Sequence, residues 1–174
     1  MSITNSYAGD AGAPLREPVE INDVIREMIV LLRGEAARHD VAIRTELAEN
    51  LPEVAGDRVQ LKQVLMNLMI NGIEAMNGGD GAQELTITSQ QAENGEVAVS
   101  VSDTGIGLPP LPVNQIFNAF VTTKPRSVGI GLSISRSIVE GHGGRLWATN
   151  NSSRGANFRL TLPTTAGRVL DGAA

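Results

Sequence analysis

The stretch from Asp57 to Met76 constrains the fold of this chain more than any other. Leu61, Val64, Leu65, Leu68 and Met69 recur at helical spacing, so one stripe of a helix must be buried. Gln63, Asn67, Asn71 and Glu74, spaced by four, four and three, share the opposite face. Asp57 is an acceptable N-cap, and Asn77-Gly78-Gly79-Asp80-Gly81 stops the helix firmly. Asn is a mediocre helix former, so two of them in one stripe invite a functional reading. The plainer account is a polar surface with incidental amides. Either way, a helix with one apolar stripe needs a layer to pack on.

The rest of the chain supplies that layer. Asn22 with Asp23 reads as a helix start, followed by Val24, Ile25, Met28, Ile29 and Leu32 at helical spacing. Val41, Ile43, Thr45 and Leu47 alternate with Ala42, Arg44 and Glu46, the pattern of a half-buried strand that Leu51-Pro52 breaks. Strands over Glu84 to Gln90 and Val97 to Asp103 meet around Asn94-Gly95, a hairpin signal. Residues 108–128 carry Pro109, Pro110, Pro112 and Pro125 and read as loop, with a turn of helix near Asn114 to Phe117. A third helix is expected from about Gly131 to Glu140, closed by Gly141 or Gly143. Strands over Arg145 to Thr149 and Asn157 to Leu162 then flank a turn at Ser152-Ser153-Arg154-Gly155. This order predicts an α+β two-layer sandwich, with about three helices on one face of a mixed, mostly antiparallel sheet. One domain is expected over residues 15–163, between a flexible leader (1–14) and a frayed tail (164–174).

Composition narrows the function. The chain has 174 residues, 41% hydrophobic and 19% charged, an ordinary globular balance. With a formal charge of −5 and no Lys/Arg run, neither a nucleic-acid partner nor membrane contact is expected. The absence of cysteine excludes disulfides, thiolate metal sites and cysteine nucleophiles. No apolar stretch reaches the roughly 18 residues of a membrane span, and a cytoplasmic location is expected.

Three further clusters carry chemistry. Asp103-Thr104-Gly105-Ile106-Gly107 follows an alternating strand, where a carboxylate can point into a pocket and accept from the exocyclic amine of adenine. Its glycines permit tight turns beside a ligand, although a strand-ending turn has the same pattern. Ile116 to Lys124 places two of the chain's three Phe in a Pro-rich loop. Such a loop either folds over something or is pinned by ordinary burial, and Lys124 and Arg126 either meet a phosphate or are solvated. Gly129-Ile130-Gly131-Leu132-Ser133 opens the third helix, whose free amides suit an anion. It is neither a Walker loop nor a Rossmann fingerprint.

In order and spacing, these clusters resemble the GHKL ATPases, and within them the histidine kinases. Asn67 to Met76 resembles the N box and Asp103 to Gly107 the first glycine box. Phe117 to Lys124 is similar to the F box, and Gly129 to Ser133 to the second glycine box. Ser133 to Gly144 matches the helix and glycine turn of oxygen- and nitrogen-regulating sensor kinases. The resemblance spans about Pro18 to Pro163 and implies the Bergerat fold, with ATP between the second helix and a lid at about 108–128. It implies that Asn71 ligates Mg²⁺ and that Asp103 holds adenine, with Gly105, Ile106 and Gly107, beside Ala75, lining the base pocket. Thr123 and Lys124 would lie near the phosphates, cradled by Gly129, Ile130, Gly131 and Leu132. Three departures stand out: Ala119 replaces a common proline, Gly72 a usual alanine, and Glu74 an often basic residue.

The resemblance also bears on the reaction. Family members that hydrolyse ATP, and related serine kinases that bind sigma factors, carry an acid four residues before the magnesium Asn. Here that position is Asn67, and an amide cannot act as general base. Catalytic roles for Asn67 and Lys124 in phosphoryl transfer to a histidine on a separate dimerisation hairpin are the expectation. A response regulator would be an indirect partner, and the isolated domain a monomer. Neither His39 nor His142 is followed by the acidic residue and proline of a phosphoacceptor box. A silent ATP-binding regulatory module and an anti-sigma-type serine kinase are the alternatives.

Overall fold

A computed structural model describes residues 16–77, 79, 81–118 and 130–166. Its elements run β1 (Glu17–Val19), α1 (Ile21–Arg38), β2 (Ala42–Leu47), β3 (Val54–Gly56) and α2 (Arg58–Ala75). There follow β4 (Glu84–Gln91), β5 (Val97–Ser102), a 3-10 turn (Val113–Phe117), α3 (Ile130–Gly141), β6 (Arg145–Asn150) and β7 (Ala156–Leu162). The main sheet has the order β2-β4-β5-β7-β6, parallel between β2 and β4 and antiparallel elsewhere. This is the α+β sandwich that the patterning predicts.

Alternation makes the two layers. Ile87, Val101, Phe158 and Ala148 lie side by side across four strands, and all four are buried. One residue further on, Thr88, Ser100, Arg159 and Trp147 form the row on the other face. The buried stripe of α2 adds Leu61, Val64, Leu65, Leu68, Met69 and Ile73 to the same core.

Three local readings change. The first helix starts at Ile21 after Glu20, and Asn22 does not cap it. The Asn22 side chain instead donates to the Ala48 carbonyl (2.9 Å) and accepts from the Ser89 hydroxyl (2.6 Å), tying α1 to the sheet. Second, β1 and β3 form a separate antiparallel pair, three residues each and too short to leave a periodic signal. Third, Thr164 bridges to Val54 and the Thr165 amide donates to Glu53, so pairing continues past residue 163. The leader and residues 167–174 lie outside the described residues.

Two contacts fix α2 among its neighbours. Asp57 caps it as expected, accepting from the Val59 (3.0 Å) and Gln60 (3.3 Å) amides. The Asp57 amide in turn donates to Nε2 of His142 (3.0 Å), whose Nδ1 donates to the Ile138 carbonyl (2.8 Å). His142 is fully buried and links the start of α2 to the end of α3. On the other flank, Glu27 of α1 accepts from Lys62 and Arg58 of α2, both at 2.7 Å. Those hydrogen bonds, Lys62's first, hold the Glu27 carboxyl below its ordinary value of 4.5.

Replacing Asp57 with Ala should lower stability by about 1 kcal/mol, read from denaturant melts. Because the Glu27 pKa is lowered, its contribution is present above the ordinary carboxylate value and lost as pH falls through the folded one. Glu27→Gln should therefore melt below the parent at neutral pH, with the gap closing in acid.

Candidate functional site

The end of α2 leaves carbonyls that no intrahelical amide can reach. One of them, Ala75 O, accepts from the Ile106 amide at 3.2 Å. This bond docks the Asp103 to Gly107 loop on the last turn of α2. Gly105 is required there: a Cβ would lie 2.3 Å from Ala75 O. Thr104 locks the loop from the other side, accepting from the Glu84 amide and donating to Ala82 O, both at 3.1 Å.

Asp103 is thereby buried, with 2% of its surface exposed. Its Oδ1 accepts from the Gly105 amide (2.8 Å) and the Ala156 amide (3.2 Å), which fixes the plane of the carboxylate. A Cβ at Gly72 would lie 3.8 Å from Oδ2, so the carboxylate faces the N-box helix. The same Cβ would come within 2.6 Å of Leu85 Cδ1, so a side chain at Gly72 would require the buried Leu85 to shift. Ile106 projects outward, 74% exposed, and Gly107 turns with φ +84°. Asp103, Gly105, Ile106 and Gly107 are thus brought to the last turn of α2, beside Ala75.

Asn67 of the polar row of α2 meets the head of α3. Asn67 Nδ2 donates to the Gly131 carbonyl (3.3 Å) and the Ser135 hydroxyl (3.2 Å). Asn67 is a strut between the two helices, and its amide offers no base. Asn71 is half-buried one turn on, while Gln63 and Glu74 are exposed. Ile130, Gly131 and Leu132 form the first turn of α3, where helix geometry leaves amides for an anion. Thr123, Lys124 and Gly129 lie outside the described residues, as do Phe120 and Ala119. Phe117 is 5% exposed, stacks edge-on against Phe158 at 6.2 Å and lies under Arg136, so burial pins this end of the loop.

Among the described residues, no group of three or more His, Cys, Asp or Glu could hold a metal. Asn71, half-buried on α2, is the hard-oxygen side chain that the polar row offers to a cation such as Mg²⁺, which takes one or two protein oxygens and completes its shell with water and phosphate. The two histidines serve local structure: His142 as above, and His39 with Nε2 3.0 Å from Glu35 Oε1. No described helix is long and apolar enough to cross a membrane.

The β6–β7 turn reads in sequence as a mere connection, yet it underpins the site. Asn151 Nδ2 donates to Asp103 O at 2.8 Å, Arg154 Nε donates to Gly105 O at 3.3 Å, and Asn150 Oδ1 accepts from the Leu108 amide at 2.8 Å. Gly155 (φ +91°) passes so close that a Cβ would sit 2.0 Å from Asp103 O. The only signal available in sequence is the adjacent Asn-Asn pair, and nothing local ties it to a loop more than forty residues away. Gly105→Ala should lower stability by about 1–3 kcal/mol, the cost of overpacking against backbone, read from denaturant melts.

Residues 56–166 match the family model described as "Histidine kinase-, DNA gyrase B-, and HSP90-like ATPase". The sensor protein FixL of Bradyrhizobium diazoefficiens is 43% identical over 143 residues, covering 82% of this chain and 28% of FixL. The chain thus spans well under half of that relative. The solved catalytic domain of histidine kinase ThkA superposes with a TM-score of 0.76 at 33% identity, covering 86% of this chain and 95% of that one. ThkA has also been solved with the response regulator TrrA (TM-score 0.73, 32% identity, 86% and 42% coverage). Full-length ShkA with AMPPNP gives 0.75 at 28% identity, covering 86% of this chain and 31% of ShkA. The folded region from the N-box helix to the last strand therefore belongs to the histidine kinase-, gyrase B- and HSP90-like ATPases, as a catalytic domain of the sensor histidine kinase kind.

Proposed function

We propose that this domain binds ATP with Mg²⁺ and presents the γ-phosphoryl group to a histidine on a separate dimerisation hairpin. The observation that carries this reading is the buried Asp103, clamped by two amides and facing α2. A carboxylate so held accepts from the adenine amine, and would repel the acceptor oxygen of guanine. Asn71 would supply a hard oxygen to Mg²⁺, which when bound would offset the charge on the phosphates. The α3 amides from Ile130 to Leu132 would hold phosphate oxygens, and the resemblance to the histidine kinases assigns Gly129, Thr123 and Lys124 to that end, with Lys124 as the cation for the transferring group. FixL, ThkA and ShkA support the reading by their names and, for ShkA, by the nucleotide analogue it was solved with.

Asn67 decides the reaction class. Its amide nitrogen is committed to Gly131 and Ser135, and nothing at that position takes a proton from water or from a serine hydroxyl. The base for transfer would come with the histidine-bearing partner, and a response regulator would take the phosphoryl group from that histidine. The domain works in the cytoplasm and is monomeric when alone.

The test is ATP labelled on its γ-phosphate, with Mg²⁺, and this domain with and without the helical hairpin. Acid-labile, base-stable label on the hairpin is expected. Acid-stable label on a protein hydroxyl would point to a serine kinase, and binding without transfer to a regulatory module. In the same assay, Asn71→Ala should cut transfer at least about a hundredfold and remove the Mg²⁺ dependence of ATP binding, consistent with loss of a metal-held transition state.

A further inference from the structure

We infer that the neighbouring side chains Asn150 and Asn151 are positioning residues that hold the two ends of the Asp103–Leu108 loop, one as acceptor and one as donor. The inference rests on the nucleotide reading above and adds what keeps that site in shape. At the strand end of the loop, Asn151 Nδ2 donates to Asp103 O (2.8 Å) and Ser102 Oγ (3.0 Å). It also reaches Arg154 O (3.2 Å), while its own backbone amide donates to Gly155 O (2.8 Å) and closes the turn. At the other end, Asn150 Oδ1 accepts from the Leu108 amide (2.8 Å), and a Cβ on Gly107 would approach that oxygen to 2.9 Å.

The two contacts differ in polarity, and both act on main chain. Asn151 fixes the carbonyl of the residue whose carboxylate reads the base. With the Ala156 amide on Oδ1 and the Ala156 carbonyl accepting from the Asp103 amide, the β6–β7 turn and the start of β7 grip Asp103 at three atoms. Asn150 sets where the chain departs from the site toward the loop that begins at Leu108. Without these bonds, a glycine-containing loop could keep its place on Ala75 O while the main chain at Asp103 and Leu108 shifts and carries the carboxylate with it. The expected consequence is weaker binding together with poorer discrimination of adenine from guanine, because selectivity depends on the direction of the acceptor.

Aspartate separates donor from acceptor at equal size. Asn151→Asp removes the donor and places an acceptor against Asp103 O, whereas Asn150→Asp keeps the acceptor. ATP and GTP affinities of the parent, Asn150→Ala, Asn150→Asp and Asn151→Asp would be measured by calorimetry, with thermal melts alongside. Asn151→Asp should weaken ATP about tenfold and shrink the ATP-over-GTP ratio, Asn150→Ala should weaken ATP about fivefold, and Asn150→Asp should stay within about twofold of the parent. A parent that prefers ATP, with Asn151→Asp folded and unchanged in affinity and ratio, overturns the inference alone. If Asn151→Asp does not fold, the Asn150 pair decides: equal behaviour of Ala and Asp overturns it, and retention only by Asp supports it. A folded parent that binds neither nucleotide overturns the nucleotide reading, and this inference with it.

Discussion

The carbonyl of Ala75 is the point on which the site hangs. A helix must end, its last carbonyls must find donors, and here one donor is the backbone of the loop leaving β5. That bond docks the loop carrying Asp103 on the last turn of the helix carrying the polar row. It also dictates Gly105, since any side chain there would meet the carbonyl itself. The next carbonyl, of Met76, is taken by Gln83 Nε2 (2.5 Å) and the Gly79 amide (3.2 Å), so the connection into β4 is tied to the same helix end.

The other end of α2 is held with equal economy. Asp57 satisfies two first-turn amides, and its own amide finds His142, so α2 and α3 are registered where they begin and end. Midway, Asn67 ties α2 to the first turn of α3. The helix that carries the proposed metal ligand is therefore braced against the helix whose first turn is proposed to hold phosphate, and Glu27 braces it against α1. A constellation for phosphoryl transfer works mainly by position, so such bracing bears directly on the chemistry.

Much of this was legible in the chain. The helices at α1, α2 and α3, five of the strands and the two-layer arrangement follow from the periods of the apolar residues, because burial on one face imposes them. The boxes that resemble the histidine kinases carry Asp103, Gly105, Gly107, Asn71 and the head of α3, because a ligand demands particular residue types at particular spacings. Less legible was anything made by pairing at a distance. Three-residue strands show no period, Asn22 looks like a cap although its side chain serves the sheet, and Phe117 in a Pro-rich loop turns out to be core.

What the sequence by itself determined is which residues have chemistry to offer and which faces must be buried, since both depend on local spacing. What only the tertiary structure decided is where those residues are held and by what. Gly72 looks like a flaw in a helix until Leu85 is seen against it. Asn67 reads in sequence as a catalytic candidate, while its amide is seen bracing α2 against α3. Asn150 and Asn151 look like turn residues and prove to grip a loop forty residues earlier in the chain. The reason is physical: a hydrogen bond selects its partner by distance and direction in space, and sequence separation carries no trace of it.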